Sequence, residues 1–156
     1  MRDYQAIAAR VAAKGSESQR LQRVADALWE GLKNHGVSWV GFYIDQPDQP
    51  EDRRLILGPH RDKPACSPLG LHGVCGQAMR FRTTRIIADV TELDDDYIAC
   101  DPRDRSEIAI PLLREDGTCC VVLDLDSFEP GAFDESDKAG LMLVLETAGL
   151  ARIAVP

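Results

Sequence analysis

The chain has 156 residues, enough for one domain with a hydrophobic core and too few for two ordinary domains. Hydrophobic residues make up 44% and charged residues 28%, which is the composition of a globular protein. The 26 acidic and 18 basic residues give a net charge of -8, so nucleic acid and anionic membranes are disfavoured as partners because both would be repelled.

The sequence lacks the apolar segments of exported and membrane proteins. No run of 18 apolar residues occurs, and the first residues, Met-Arg-Asp-Tyr-Gln, do not form a secretion signal. We therefore expect a cytoplasmic protein, in which five cysteines are metal ligands, redox centres or core residues rather than structural disulfides. We expect no metal, because no Cys-x-x-Cys occurs and the histidines, His35, His60 and His72, lie outside any ligand spacing.

Apolar residues spaced by three and four predict helices at both ends of the chain. The first 35 residues are predicted to form N-terminal helices, interrupted at Gly15. A short helix is predicted over residues 74–80, and a C-terminal helix over residues 134–154.

Between the terminal helices, residues 37–128 read as a sheet with active-site loops. The predicted strands span 37–45, 53–57, 84–88, 106–113 and 118–127. Gly58-Pro59 is predicted to end the second strand, and Asp116-Gly117 to form a tight hairpin turn between the last two. The order of elements indicates an α+β fold with a largely antiparallel sheet, terminal helices on one face, and a ligand pocket covered by loops on the other.

Three acidic residues are predicted to share one face of the last hairpin. With a two-residue turn Glu107 lies opposite Asp126, and with a four-residue loop it lies opposite Asp124. Like charges across two strands are destabilising, so a cation, a proton or a ligand ammonium is expected among them. The alternative is that these acids are solvated on an open sheet face.

Two aromatic residues, Trp39 and Tyr43, share one face of the first strand. They are either ordinary core residues or a pair that faces a ligand. In the last strand, alternation sends Cys119 to the apolar face, so Cys119 and Cys120 are predicted to serve packing only.

Cys100 lies in a polar loop dense in charge. Nearby cations favour its reactive thiolate and nearby anions oppose it, which leaves its pKa open; they are Arg103, Arg105, Asp101 and Asp104. Cys75 lies at the start of the short helix, where Gly73 precedes it. Free N–H groups and the helix dipole there suit an anion and are expected to lower the pKa of Cys75.

Eight short motifs occur in a fixed order along nearly the whole chain. They are Trp39-Val-Gly-Phe-Tyr43, Leu57-Gly-Pro59, Pro64-Ala-Cys66, Gly73-Val-Cys-Gly76, Ile98-Ala-Cys-Asp101, Arg105-Ser-Glu-Ile108, Leu123-Asp-Leu-Asp-Ser127 and Phe133-Asp-Glu135. Together they resemble a free methionine-R-sulfoxide reductase of the GAF-domain class. The resemblance implies a single GAF domain over residues 1–156, usually dimeric, that acts on the free amino acid.

The resemblance also implies roles for individual residues. Cys100 would be the nucleophile, Cys66 its main resolving partner and Cys75 an auxiliary thiol. The remaining site residues would bind substrate, with acids on its polar groups and aromatic rings around its methyl-sulfur end; they are Glu107, Asp124, Asp126, Trp39 and Tyr43. Thiolate attack on the sulfoxide gives a sulfenic acid, which a second thiol converts to a disulfide.

Under this reading no bound cofactor is expected, and thioredoxin or a similar dithiol reduces the enzyme again. A stand-alone GAF module that senses a small ligand without turnover is the alternative. The cysteines at 66, 75 and 100 separate the two hypotheses, because a pure sensor has no need of them beside the acids.

Overall fold

The structure, a computed structural model, describes residues 1–151 and is built on five strands. The strands are β1 (Trp39–Asp45), β2 (Leu55–Arg61), β3 (Arg85–Ile87), β4 (Ser106–Leu113) and β5 (Cys119–Ser127). The α-helices are α1 (Tyr4–Ala8), α2 (Glu17–Leu32), α3 (Val74–Phe81) and α4 (Glu135–Thr147). The sheet has the order β2-β1-β5-β4-β3, and every neighbouring pair is antiparallel.

The two faces of the sheet support separate apolar clusters, because side chains alternate along each strand. On one face, the helix-side core joins α1, α2 and α4 to residues such as Phe42, Ile110 and Leu123. On the other face, the pocket-side cluster joins α3 and the loops to Trp39 and Tyr43. The predicted α+β fold, with terminal helices on one face, is therefore confirmed. Over the described residues, no helix combines the length and apolarity needed to cross a membrane.

The N-terminal helices are shorter than predicted. The helix α2 begins with a capping box in which the Ser16 hydroxyl accepts from the Gln19 N–H and the Gln19 side chain accepts from the Ser16 N–H. The helix α1 already ends at Ala8, and the link to α2 is not helical. The Arg23 guanidinium donates to the carbonyls of Ala12 and Lys14, at 2.6 and 2.9 Å, which stabilises this link.

The C-terminal helix ends at Thr147 rather than at residue 154 as predicted. Gly149 has a φ of +71°, which a glycine adopts without steric cost. The N–H of Leu150 donates to the carbonyl of Leu145 and that of Gly149 to Glu146, both at 2.9 Å. This Schellman motif ends the helix. The predicted residues 152–154 lie outside the described part of the chain.

Strand β2 continues past Gly58-Pro59, where the sequence had predicted its end. Proline removes a backbone donor, but β2 is an edge strand, so that loss is tolerated. The pairing with β1 shifts by one residue between Gly41 and Tyr43, which marks a bulge.

The β4–β5 hairpin pairs in the predicted register, although its turn differs from the predicted one. Glu107 pairs with Asp126, as expected for a two-residue turn. The N–H of Gly117 donates to the carbonyl of Arg114, and the pairing shifts near Leu113, so a longer loop is compensated by a bulge. The bulge places Cys119 against the pocket-side cluster and its neighbour Cys120 against the helix-side core, so the predicted face of Cys119 is wrong.

Candidate active site

A pocket lies between the sheet, α3 and the loops before α3 and β4. Its lining contains seven of the eight predicted site residues, namely Trp39, Tyr43, Cys75, Cys100, Glu107, Asp124 and Asp126. The eighth, Cys66, joins the pocket through a disulfide to Cys100. The residues that strand alternation and the resemblance pointed to are therefore brought together at one place.

The carboxylates form the floor of this pocket. Glu107 lies on β4 and faces Asp126 on β5, while Asp124 lies opposite Ala109. Glu107 and Asp124 are only 6% and 5% exposed, so they are not solvated acids on an open face. Burial, and then the neighbouring carboxylates, raise the pKa of Asp124 and Asp126 well above the usual range. Burial also raises the pKa of Glu107.

A fourth carboxyl group, Asp104, belongs to the pocket, whereas the sequence indicates only a charge near Cys100. Asp104 is 7% exposed and lines the pocket together with Cys100 and Glu107. Burial, and next the charge of Asp101, raise the pKa of Asp104 to about 6. Asp104 lies in a loop, so no strand alternation could have predicted its direction. Its only signal was its position four residues after Cys100.

Cys66 and Cys100 form a disulfide that joins the two loops at the rim of the pocket. Their Cα atoms are 5.4 Å apart. Cys100 is exposed and Cys66 is half-buried, so the bond is open to an external reductant. The other cysteines, Cys75, Cys119 and Cys120, are free thiols.

Cys75 lies at the bottom of the pocket, and its environment is the reverse of the one predicted. Its Sγ is 4.0 Å from Glu107 Oε1, and only 4% of the residue is exposed. Burial, and then the charges of Asp124 and Glu107, raise the pKa of this thiol well above its usual value. Desolvation and three nearby carboxylates outweigh the helix dipole, so the predicted lowering of its pKa is wrong.

The two aromatic side chains line the pocket and also hold the loop that carries Cys66. Trp39 Nε1 donates to the carbonyl of Lys63, and the Tyr43 hydroxyl donates to the carbonyl of Cys66, both at 2.9 Å. Their ring centroids are 6.1 Å apart. The intervening Gly41 is needed because a Cβ there would lie 2.2 Å from the indole of Trp39. The pair is therefore both core and pocket wall.

Four charged and aromatic side chains connect the Cys66 and Cys100 loops. The Arg103 guanidinium donates to both oxygens of Asp101, at 3.0 and 2.9 Å, and Lys63 also pairs with Asp101. Both cations lie over the ring of Phe128, 4.6 and 5.0 Å from its centroid. We call this set of Lys63, Asp101, Arg103 and Phe128 the loop clamp. The other predicted cation, Arg105, pairs with Asp89 at 3.0 Å.

The start of α3 also faces the pocket. The first hydrogen bond within α3 runs from the N–H of Gln77 to the carbonyl of Gly73. The N–H groups of the first turn come before this bond and have no acceptor within the helix. The residues that line the pocket there include Val74 and Gly76. A Cβ at Gly76 would lie 2.4 Å from the backbone of Leu71, so only glycine permits this close approach. The amino end of α3 therefore offers donors that can meet an anion.

Residues 15–152 match the GAF domain family, which agrees with the sheet order and the position of the pocket. Two relatives carry the name free methionine-R-sulfoxide reductase. The one from Saccharomyces cerevisiae is 36% identical over 121 residues, covering 76% of this chain and 66% of the relative. The one from Escherichia coli is 37% identical over 142 residues, covering 90% of this chain and 78% of the relative.

A solved structure of free methionine-R-sulfoxide reductase from Neisseria meningitidis, in complex with its substrate, has the same fold. It superposes with a TM-score of 0.78 at 31% identity and covers 95% of this chain and 87% of its own. The chain belongs to the free methionine-R-sulfoxide reductases of the GAF-domain family.

Proposed function

We propose that this protein reduces free L-methionine (R)-S-oxide to L-methionine by thiol chemistry at Cys100. One observation carries the proposal: the Cys66–Cys100 disulfide lies at the rim of a pocket whose floor is a cluster of buried carboxyl groups. A redox-active dithiol and a group of acids are the two requirements for removing oxygen from a sulfoxide.

In the first step the Cys100 thiolate attacks the sulfoxide. Oxygen passes to Cys100 as a sulfenic acid, the sulfur–oxygen bond of the substrate breaks, and methionine leaves with its sulfur reduced. The oxygen needs a proton to leave. Raised pKa values favour the protonated forms of the carboxyl groups in the pocket, and Asp104, whose pKa is raised to about 6, lines the same pocket as Cys100.

In the second step Cys66 resolves the sulfenic acid. The Cys66 thiol attacks the Cys100 sulfur, and a disulfide forms as water is released. The exposed bond is then reduced by thioredoxin or a similar dithiol donor, so the cycle requires no bound cofactor. Cys75 is the auxiliary thiol: its raised pKa keeps it protonated and unsuited to the first attack.

The free amino acid is held by its charged ends. The ammonium group is expected among Glu107, Asp124 and Asp126, whose mutual repulsion it would relieve. The carboxylate suits the amino end of α3. Trp39 and Tyr43 then enclose the methyl-sulfur end.

The test is an assay of methionine formation from the free R-sulfoxide with dithiothreitol as reductant. Wild-type protein should form methionine from the R epimer, and Cys100→Ser should fall to the uncatalysed background, because a serine hydroxyl is too weakly acidic to replace a thiolate. Cys119→Ser is the matched control and should retain activity. Turnover by Cys100→Ser would remove Cys100 from the nucleophile role.

We further propose that the protein acts in the cytoplasm and as a homodimer. A reducing compartment keeps the cysteine thiols available for the cycle. Sedimentation of the purified protein should give about twice the mass of one chain, whereas a sedimentation mass of one chain would overturn the dimer.

A further inference from the structure

We propose that Cys75, Glu107 and Asp124 form a binding site for a thiophilic divalent cation such as Zn²⁺. One thiol sulfur and two carboxyl oxygens from these side chains all lie within 4.8 Å of one another. All three residues are buried, at 4%, 6% and 5% exposure. The sequence does not indicate this group, because Cys75 is 32 residues from Glu107 and 49 from Asp124. Neither separation matches a known spacing of metal ligands.

The geometry needs little adjustment to hold an ion. Zinc binds sulfur at about 2.3 Å and carboxylate oxygen at about 2.1 Å, so its tetrahedral ligands lie about 3.5 Å from one another. Cys75 Sγ is already 4.0 Å from Glu107 Oε1. Side-chain rotations alone can therefore close the three ligands around one ion.

A second observation points to a ligand at this place. Asp124 Oδ1 is fully buried and makes no hydrogen bond within the described part of the chain. Buried polar atoms nearly always have a partner, so this oxygen lacks one that a bound cation would supply. Asp124 belongs to the same group of side chains as Cys75 and Glu107.

Only deprotonated side chains bind a metal ion. Cys75 would therefore bind the cation as a thiolate, and Glu107 and Asp124 would bind it as carboxylates.

The ligand types select the metal. Magnesium and calcium prefer sites made of oxygen alone, whereas a thiolate beside two carboxylates suits zinc and cadmium. Three protein ligands leave a fourth position open towards the pocket. The same carboxylates are those proposed for the substrate ammonium, so the cation and free methionine should exclude each other. This competition rests on the proposed function, but binding of the cation does not.

The experiment is a cadmium titration of oxidised protein that carries Cys119→Ser and Cys120→Ser. With Cys66 and Cys100 in their disulfide, Cys75 is then the only free thiol. Cadmium should bind one to one with an ultraviolet thiolate charge-transfer band. The band should vanish with Cys75→Ser, and Glu107→Gln or Asp124→Asn should each weaken binding at least about tenfold.

If both carboxyl variants bound cadmium as tightly as the parent protein, the ligand would be a lone thiol and the proposal would be overturned. A band that survives Cys75→Ser would overturn it too. Zinc should also raise the unfolding temperature of the parent protein but not of the Cys75→Ser variant, which guards against a variant that fails to fold. Free methionine should weaken cadmium binding. If cadmium binds as expected and methionine has no effect, the site stands and the proposed ammonium position fails, so the two failures are distinguishable.

Discussion

Cys75 and Cys100 are cysteines of one pocket with opposite surroundings. Cys100 is exposed at the rim in a loop of mixed charge, whereas Cys75 lies buried beside Glu107. Desolvation raises the pKa of Cys75, so at neutral pH it remains a thiol. The different roles proposed for Cys75 and Cys100 therefore follow from their burial rather than from their neighbours in the sequence.

The disulfide partner makes Cys66 the expected resolving residue. Reduced Cys66→Ser protein should form one methionine per chain and then stop, because the sulfenic acid on Cys100 finds no partner. Mass spectrometry should find one added oxygen, about 16 Da, on Cys100. Cys119→Ser, treated identically, should show the Cys66–Cys100 disulfide instead. Undiminished turnover by Cys66→Ser would assign the resolving role to Cys75.

At the scale of single residues, strand positions were predictable and loop positions were not. Alternation placed Glu107, Asp124 and Asp126 on one face, because a strand has only two faces. Whether that face is buried depends on the loops that cover it, so neither the raised pKa of Cys75 nor the burial of Asp104 could be predicted from neighbours in sequence.

The loop clamp is the element that holds the Cys66 and Cys100 loops together. Asp101 receives donors from Arg103 and Lys63, which lower its pKa. Asp101→Asn removes this charge and should lengthen the life of the Cys100 sulfenic acid about fivefold, since a partly exposed ion pair contributes about 1 kcal/mol. Trapping the sulfenic acid with a specific nucleophile after a single turnover measures this lifetime.

The first step supplies the control for this prediction, because the clamp positions the resolving loop. Methionine release in the first turnover should be unchanged in Asp101→Asn. Asp95→Asn makes the same charge change at an exposed position and should alter neither step. An equal slowing of both steps would mean that Asp101 has a general structural role instead.

Among the helices and strands too, some features were predictable from the sequence and others were not. The register of β4 and β5 was predicted correctly although the turn was not, because the longer loop and the bulge at Cys120 cancel. The same bulge moved Cys119 to the other face, and no residue type signals it. The end of α4 depends on the backbone conformation of Gly149, and the spacing of apolar residues does not indicate that conformation.

For the whole molecule, the buried acids predict that stability decreases as pH rises. Asp104 has a pKa of about 6 in the folded protein and an ordinary value near 4 when unfolded, so the folded state binds more protons between these values. The contribution of Asp104 to the free energy of unfolding is complete below about pH 4 and is lost as pH rises through about 6.

Asp104→Asn should remove this loss. Between about pH 4 and about pH 7.5, its free energy of unfolding relative to wild type should increase by on the order of 1 to 3 kcal/mol. Denaturant unfolding of the oxidised proteins at the two pH values gives the difference. Asp95→Asn, at an exposed position, is the matched control. A constant difference between Asp104→Asn and wild type would show that Asp104 does not titrate as described.

The acidic pocket as a whole accounts for a substrate that is the free amino acid. An α-ammonium group would neutralise the carboxylates at 107, 124 and 126 through charge-assisted hydrogen bonds. An N-acetyl group removes that charge and leaves buried acids unpaired. Breaking a buried ion pair costs on the order of 3 to 5 kcal/mol, which is two to three decades in binding.

The most direct measurement is therefore kcat/KM for free methionine-R-sulfoxide and for its N-acetyl derivative, under identical thiol conditions. We predict that the N-acetyl compound is reduced at least about a hundredfold less efficiently. Equal efficiencies for the two compounds would contradict the account, because the buried acids would then not recognise the ammonium group.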